Sequence, residues 1–514
     1  MLLNGSQCWL RSNKKSRTNS MSKNTRRGKK RQFKFGKVLG KNLKAEFSDE
    51  QITDSGGIQV ISKIEEKRRF IDGFSSCIPD WRKCPEFCDY SIEHLVAQRV
   101  SLICAGYEDV IDSNFKREDL AFSLFLSSIT GNPNLASQAT VTNFENSISE
   151  ATLTALHQWF LKNYMERKDR PTRIILDPDG SSIPTYGNQE KTAYHGYYQT
   201  NQYFPLFIYD HTGRLISCRL RPGTEDESKI IVSELERIVP QLREKWPGIK
   251  ITVRADAGVY HPEICDWCED NDVYYLIRIA KPGSGGGSLF TESKATAETA
   301  ARRFRRKFGT EEYVGTDITR GDRIKEIKEI TDKKEKKKQL KRLEKRIIRH
   351  YTFFNHRAGK GGKDPKQWRQ ERRIVCVCTH TDWGGERTFF VTNLLDHPED
   401  LIKLYNQRGE AELHIKSMKA LQCTRLSCMT FNANQYRLLL HGLAYLFMFE
   451  LKRRLPKKLK HFTIASIQKR IIKIPALITC LARDFVIQWS ENYQWKKELF
   501  SLLHSIDRMK PLQC

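Results

Sequence analysis

Apolar residues recur at helical spacing in the first third of the chain and at strand spacing in the second. Between Tyr90 and Ala105, the residues Ile92, Leu95, Val96, Val100, Leu102 and Ile103 form one stripe of a predicted helix. The whole of 45–165 reads as mainly helical. From residue 170 the pattern changes. Short apolar runs predict strands over Arg173 to Asp177, Pro205 to Tyr209, Leu215 to Arg221, Ile249 to Ala255 and Val273 to Ile279. A turn at Asp210-His211-Thr212-Gly213 joins the second and third strands. Thr224 and Glu227 form a capping box ahead of a helix with the core stripe Ile231, Leu235, Ile238, Val239 and Leu242. A shorter helix spans Pro262 to Asn271. Three strands able to pair as hairpins, followed by helix–strand–helix–strand, predict an α/β core with a mixed sheet. Residues 281–395 interrupt it, starting from the flexible stretch Pro282 to Gly287. They carry a basic helix over Arg323 to Arg349, with thirteen Lys/Arg and five Asp/Glu, suited to solvent or to a polyanion. Two strands follow, Arg373 to Thr379 and Arg387 to Thr392, joined at Trp383-Gly384-Gly385. An apolar helix is predicted over Ala433 to Leu451, and then a basic helical tail.

The segment Tyr405 to Lys419, YNQRGEAELHIKSMK, carries more than periodicity. As one α-helix at about 100° per residue, Arg408, Glu412 and Lys419 fall at about 300°, 340° and 320° from Tyr405. Leu404, Ala411, Ile415 and Met418 lie beside that arc at about 220–280°. One carboxylate flanked by cations thus borders a buried stripe, an arrangement suited to a metal-binding group next to a polyanion.

Charge narrows the partner. The 514 residues hold 88 Lys+Arg against 61 Asp+Glu, a formal net charge of +27. Such an excess favours nucleic acid through counterion release, with an anionic surface as the alternative. Residues 1–44 contain fourteen Lys/Arg and no Asp or Glu, so a disordered basic arm is expected. The segment LASQATVTNFENSI suits an ordinary capped helix, or a helix-turn-helix presenting Gln138, Thr140, Thr142 and Asn143 to DNA. The 14 cysteines lack framework spacing and the N-terminus lacks an apolar leader, so a reducing cytoplasm is expected. The longest apolar run, Leu438 to Phe449, contains His441 and is too short to span a bilayer. Cys265 and Cys268 with His261, and Cys84 with Cys88, have no close second pair for a structural zinc.

Three carboxylates stand out by position. Asp179 ends the first core strand, Asp256 ends the fourth, and Glu412 lies on the late helix. Strand ends that emerge at one sheet edge can bring such groups together. Hard oxygen ligands suit Mg²⁺ or Mn²⁺, and two such ions support in-line displacement at phosphorus. Asp177 shares a strand face with Asp179 and competes with it for the first position. Asp179-Gly180-Ser181 has an Asp-x-Ser pattern, and Pro178 suggests that the strand is ending, so Asp179 is preferred.

Tyr405, Arg408, Glu412 and Lys419 match the Y-(2)-R-(3)-E-(6)-K signature of bacterial insertion-sequence transposases of the DDE type. ITDSGG, QRVSLICAGYEDVID, RADAGVY, NQRGEAELHIK and FNANQYRLLLHGLAYL resemble the thirteen-eighty family of those elements, over most of 45–455. The resemblance implies a ribonuclease H-like catalytic core interrupted by an insertion domain. It implies cut-and-paste movement of DNA, with Asp179, Asp256 and Glu412 catalytic and metal-binding. The gaps are 77 residues (256 − 179) and 156 residues (412 − 256), and 281–395 fills the second. Ala257 and Val259 depart from the Ser and Phe common in that family. The resulting division is a basic arm (1–44), a helical DNA-binding domain (45–165), core parts at 166–280 and 396–455, the insertion (281–395) and a basic helical tail (456–514). Tyr405, Arg408, Lys416 and Lys419 are the expected DNA contacts. The expected partners are element ends and target DNA, with two Mg²⁺ or Mn²⁺ ions, a homodimer in the DNA complex, no membrane, and a cytoplasmic, nucleoid-associated protein. The competing readings are a transposase-derived DNA-binding protein without catalysis and another nuclease of this fold, such as a junction resolvase.

Overall fold

The computed structural model describes residues 32–166, 169–196, 199–280, 288–314, 316–357 and 368–511. A mixed eight-stranded sheet organises it. In chain order its strands are β1 (Arg173–Gly180), β2 (Leu206–Asp210), β3 (Leu215–Arg219), β4 (Lys250–Ala255), β5 (Tyr274–Arg278), β6 (Ile348–His356), β7 (Arg372–Thr381) and β8 (Gly384–Thr392). Their spatial order is β6-β7-β8-β5-β4-β1-β2-β3. β4 runs parallel to both β1 and β5, and all other pairs are antiparallel.

The five predicted core strands all form, within a few residues of the expected ends. Both faces of the sheet are covered, so its strands are apolar on both sides. On β2, Leu206 and Ile208 join the cluster formed with helix Glu227–Lys245, whereas Phe207 and Tyr209 face the opposite cluster. That opposite cluster is built around helix Phe431–Arg454, buried all round from Ala433 to Leu451. A helix apolar on every side must sit inside the protein. It lies between the sheet and the N-terminal helices, which include Ile92–Cys104, Gln138–Asn146 and Glu150–Met165. A buried ion triad pins the join. Glu145 accepts from Arg99 Nε at 2.8 Å and from Arg437 Nε at 2.6 Å. In Gln138–Asn146, Ser137 accepts from the Thr140 N–H, as an ordinary capped helix requires.

Several expectations change. Strands β7 and β8 of the interruption join the core sheet. β8 pairs with β5, and β7 and β6 continue the ladder, so the core sheet has no open edge beside β5. The basic helix expected over 323–349 divides into Arg320–Glu329 and Lys333–Lys345, and Ile348 already begins β6. The division falls where Asp332 caps the second helix by accepting from the Lys334 N–H. A small sheet of Ile183–Pro184, Ala193–His195 and Thr200–Tyr203 fills the β1–β2 connection. The tail is not purely helical, because Ala476–Cys480 pairs with Phe485–Trp489 and with Ile52–Thr53 at the other end of the chain. Part of the arm forms a hairpin, Phe33–Val38 with Lys41–Ala45; residues 1–31 lie outside the described residues. No described helix is long and apolar enough to cross a membrane.

Candidate active site

Parallel pairing of β1 with β4 sets Val253 opposite Leu176, so the two strands leave the sheet at one edge. Asp179 is the penultimate residue of β1, and Asp256 follows the last residue of β4. β1 does not stop at Pro178. Its ladder with β2 runs on to Gly180, whereas its ladder with β4 ends at Leu176. A proline that donates nothing is tolerated there because the strand is by then paired on one side only.

The two aspartates of β1 have different surroundings. Asp177 is 1 % exposed and bound in fork geometry, Arg254 Nε to Oδ1 at 2.7 Å and Nη2 to Oδ2 at 2.6 Å. Arg254 Nη1 also donates to the Leu404 carbonyl at 2.6 Å, tying the late helices to the sheet. Asp177 is thus committed to a buried pair. Asp179 points at the open edge, where Arg408 Nη2 lies 3.1 Å from its Oδ2 and 3.5 Å from Asp256 Oδ2. Asp256 Oδ1 accepts from the Gly258 and Val259 N–H groups at 2.9 and 3.2 Å, which turns Oδ2 toward the same guanidinium.

The segment 405–419 is not one continuous helix. One helix spans Pro398–Asn406 and the next Gly409–Ala420. Between them Arg408 N–H bonds to Tyr405 O, Glu410 N–H to Gln407 O and Ala411 N–H to Arg408 O. These i→i−3 bonds wind at about 120° per residue, so the three residues accumulate about 60° over an α-helix. The four residues expected to share one arc therefore belong to two helices and the junction between them. Tyr405 packs edge-on against Phe390, with ring centroids 4.6 Å apart, and is half-buried. Arg408 is 6 % exposed, turned into the aspartate pair and not lying open on a helix surface. Glu412, Lys416 and Lys419 are exposed on the second helix, whose Ala411, Ile415 and Met418 are buried. His414 fixes that helix on the β2–β3 turn. The Tyr445 hydroxyl donates to Gly213 O at 2.7 Å and lies 3.1 Å from His414 Nδ1. Gly213 has φ +86°, and a Cβ there would lie 2.0 Å from His414 Cε1.

The carboxylates sense one another. Burial pushes the Asp179 pKa up to about 6; Arg408 opposes this, while Asp256, Glu412 and Glu227 add to it. Glu227 escaped the sequence reading, which used it only as half of a capping box. Asp226 takes the cap position, accepting from the Ser228 N–H at 2.9 Å, and Glu227 becomes the first residue of helix Glu227–Lys245. Its carboxylate lies above the end of β1, and burial raises its pKa. An acid opening the helix between the third and fourth strands was the available signal. Cys265 and Cys268 lie in the core between sheet and helix.

Asp179, Asp256 and Glu412 offer hard carboxylate oxygens, the set that suits Mg²⁺ or Mn²⁺. Among the described residues no trio of His, Cys, Asp or Glu already converges on one ion position. The cation between the two aspartates is Arg408, and its Nε and Nη2 make no hydrogen bond. Two carboxylates share that one guanidinium, so the donor set, though not the spacing of a formed ion site, suits a divalent cation.

A family model described as transposase DDE domain group 1 matches residues 35–511. No curated protein matches the chain significantly. Among solved structures, the cryo-EM structure of a piggyBac transposase synaptic complex with hairpin DNA is similar over 89% of this chain and 82% of that chain, at 11% identity and TM-score 0.35.

Proposed function

The chain belongs to the transposase DDE domain group 1 family, and on that premise we propose that it binds the ends of its own mobile element and cleaves and transfers DNA strands at Asp179, Asp256 and Glu412. The observation that carries this reading is the meeting of Asp179 and Asp256 at one guanidinium, although 77 residues separate them (256 − 179). The sheet order from β3 to β5, with a helix between β3 and β4, supports a ribonuclease H-like core. The spacing of Tyr405, Arg408, Glu412 and Lys419 supports a place among DDE-type insertion-sequence transposases, and segments such as QRVSLICAGYEDVID and FNANQYRLLLHGLAYL support the thirteen-eighty family among them.

Asp179 and Asp256 would hold the divalent ions from the strand ends, and Glu412 would close the set from its helix. Bound Mg²⁺ or Mn²⁺ supplies activation of a water or 3′-hydroxyl and charge relief at the leaving oxygen. Arg254 fixes the orientation of β1 and β4 and keeps Asp177 out of the site. Lys416 and Lys419, exposed on the Glu412 helix, would meet backbone phosphates as point charges. Arg408 would move from the aspartates to a phosphate when ions enter, and Tyr405 would border the DNA end. Two copies would act together, one on each element end.

The test is cleavage of DNA carrying the element ends in Mg²⁺, comparing wild type with Glu412→Gln. Cutting by the variant at the wild-type rate would exclude Glu412 from the catalytic set.

A further inference from the structure

Every residue of the hairpin Phe33–Val38 with Lys41–Ala45 is exposed, on both of its faces. A two-stranded ribbon without a covering partner is marginal in water, yet this one is well specified. Leu39 at φ +48° and Gly40 at φ +77° supply the two positive φ values of a tight hairpin turn. At the other end the Gln32 side-chain amide donates to Glu46 Oε2 at 2.6 Å. The register gives the two faces different chemistry. Lys34 pairs with Lys44 and Lys37 with Asn42; Lys44 and Asn42 are two apart, so all four side chains share one face. Phe33, Leu43 and Ala45 lie on the other face, and Phe35 joins them, its ring centroid 4.9 Å from that of Phe33. A bulge at Phe35 produces this sorting. In an unbroken strand Lys34 and Lys37, three apart, would point to opposite sides; the extra residue returns Lys37 to the side of Lys34.

Lys34 directly opposite Lys44, with Lys37 on the same face, is a repulsive arrangement that an anion lying across it would relieve. Among the described residues no carboxylate pairs with any of the three, and the adjacent acid, Glu46, is bonded to Gln32. We propose that this ribbon is a DNA contact, its Lys34, Lys37 and Lys44 face lying along the phosphates of duplex DNA whatever the sequence. The inference rests on the DNA-acting reading above, and adds a surface outside both the helical segment 45–165 and the helix that carries Glu412. Lys34 to Lys37 spans about 10 Å at about 3.3 Å per residue, enough to face about three phosphates of one strand at about 3.4 Å each. Lysines meet such a row as point charges and read no bases. A basic face backed by exposed aromatics also suits an anionic lipid surface. The family of the chain is one of transposases, whose substrate is DNA, and that decides between the two polyanions.

Binding of the full-length protein to a short duplex of arbitrary sequence is followed by fluorescence anisotropy across a salt series. The triple variant Lys34→Gln, Lys37→Gln, Lys44→Gln is expected to lower the slope of log affinity against log salt by roughly 2.7, about 0.9 for each lysine, with the melting temperature unchanged. Lys37→Gln alone loses about 0.9. Lys41→Gln, which removes the same charge from the opposite face, keeps the wild-type slope. A wild-type slope in the triple variant would overturn the proposal, as would equal losses for Lys37→Gln and Lys41→Gln, which would leave only diffuse charge. Phosphatidylserine vesicles offered in competition test the partner: tighter binding to them than to the duplex, through the same three lysines, would make the ribbon a lipid contact and overturn the DNA assignment. Absence of duplex binding by wild type would instead overturn the DNA-acting reading on which the inference rests.

Discussion

Exchanging Asp177 and Asp179 for asparagine, one at a time, separates a structural acid from a functional one two residues away. Asp177→Asn leaves the charge of Arg254 in place, 1 % exposed, with a neutral amide where two short charge-assisted bonds had been. The amide offers one oxygen, and its NH₂ faces a guanidinium that can only donate. Breaking a buried pair from one side costs about 3–5 kcal/mol because the remaining charge is uncompensated. For a cooperative unit of 150–250 residues, at roughly 2–4 °C per kcal/mol, the melting temperature falls on the order of 10 °C. The loss spreads to the late helices, since Arg254 also holds Leu404 O. Asp179→Asn removes a charge that Asp256, Glu412 and Glu227 all oppose, at the expense of one contact to Arg408. Its melting temperature stays level or rises, while DNA cleavage is lost. Thermal unfolding followed by circular dichroism, alongside a cleavage assay at matched DNA binding, reads both effects. A stable Asp177→Asn with lost cleavage, paired with an unstable Asp179→Asn that still cuts, would refute the assignment.

Acid stability should depend on Glu234, which is buried; burial raises its pKa, but Arg237 and Ser217 bring it down to about 2. A carboxylate with a depressed folded pKa stabilises above its unfolded value near 4.5 and loses that contribution as pH falls toward 2. Glu234→Gln should therefore flatten the fall in stability between those pH values, worth about 3 kcal/mol from the shift; an unchanged pH profile in denaturant titrations would sink the idea. Gly213→Ala adds a Cβ at φ +86° against the His414 ring. It should destabilise by more than about 2 kcal/mol, from left-handed strain plus the clash, and should slow cleavage by shifting the helix that carries Glu412; wild-type unfolding and cutting would show that the turn does not set that helix. Lys416→Ala and Lys419→Ala should each leave the melting temperature unchanged and reduce the salt slope of DNA binding by about one unit; slopes equal to wild type would remove these lysines from the phosphate contacts.

Local pattern was enough to place the five core strands, the helix stripe at Ile231 to Leu242, the apolar helix ending near Leu451, and Asp179 and Asp256 at strand ends. Periods of 2.0 and 3.6 are set by which face is buried, so they survive in the sequence. The spacing of Tyr405, Arg408, Glu412 and Lys419 was equally legible, and the matched family agrees with the transposase reading drawn from it. What the pattern missed depends on pairing between distant segments. Nothing local tells β8 to complete the edge of β5, or Ala476–Cys480 to meet Ile52–Thr53 across more than four hundred residues. The one-helix reading of 405–419 failed because i→i−3 bonds replace the α-helical ladder between Asn406 and Gly409, and at that junction Arg408 is drawn to two aspartates from distant strands. Glu227 read as a capping residue until the parallel strands placed the end of β1 beneath it. Sequence determined which acids stand at the ends of elements; the tertiary fold decided which ends meet, because electrostatic neighbours are chosen by distance in space and not along the chain.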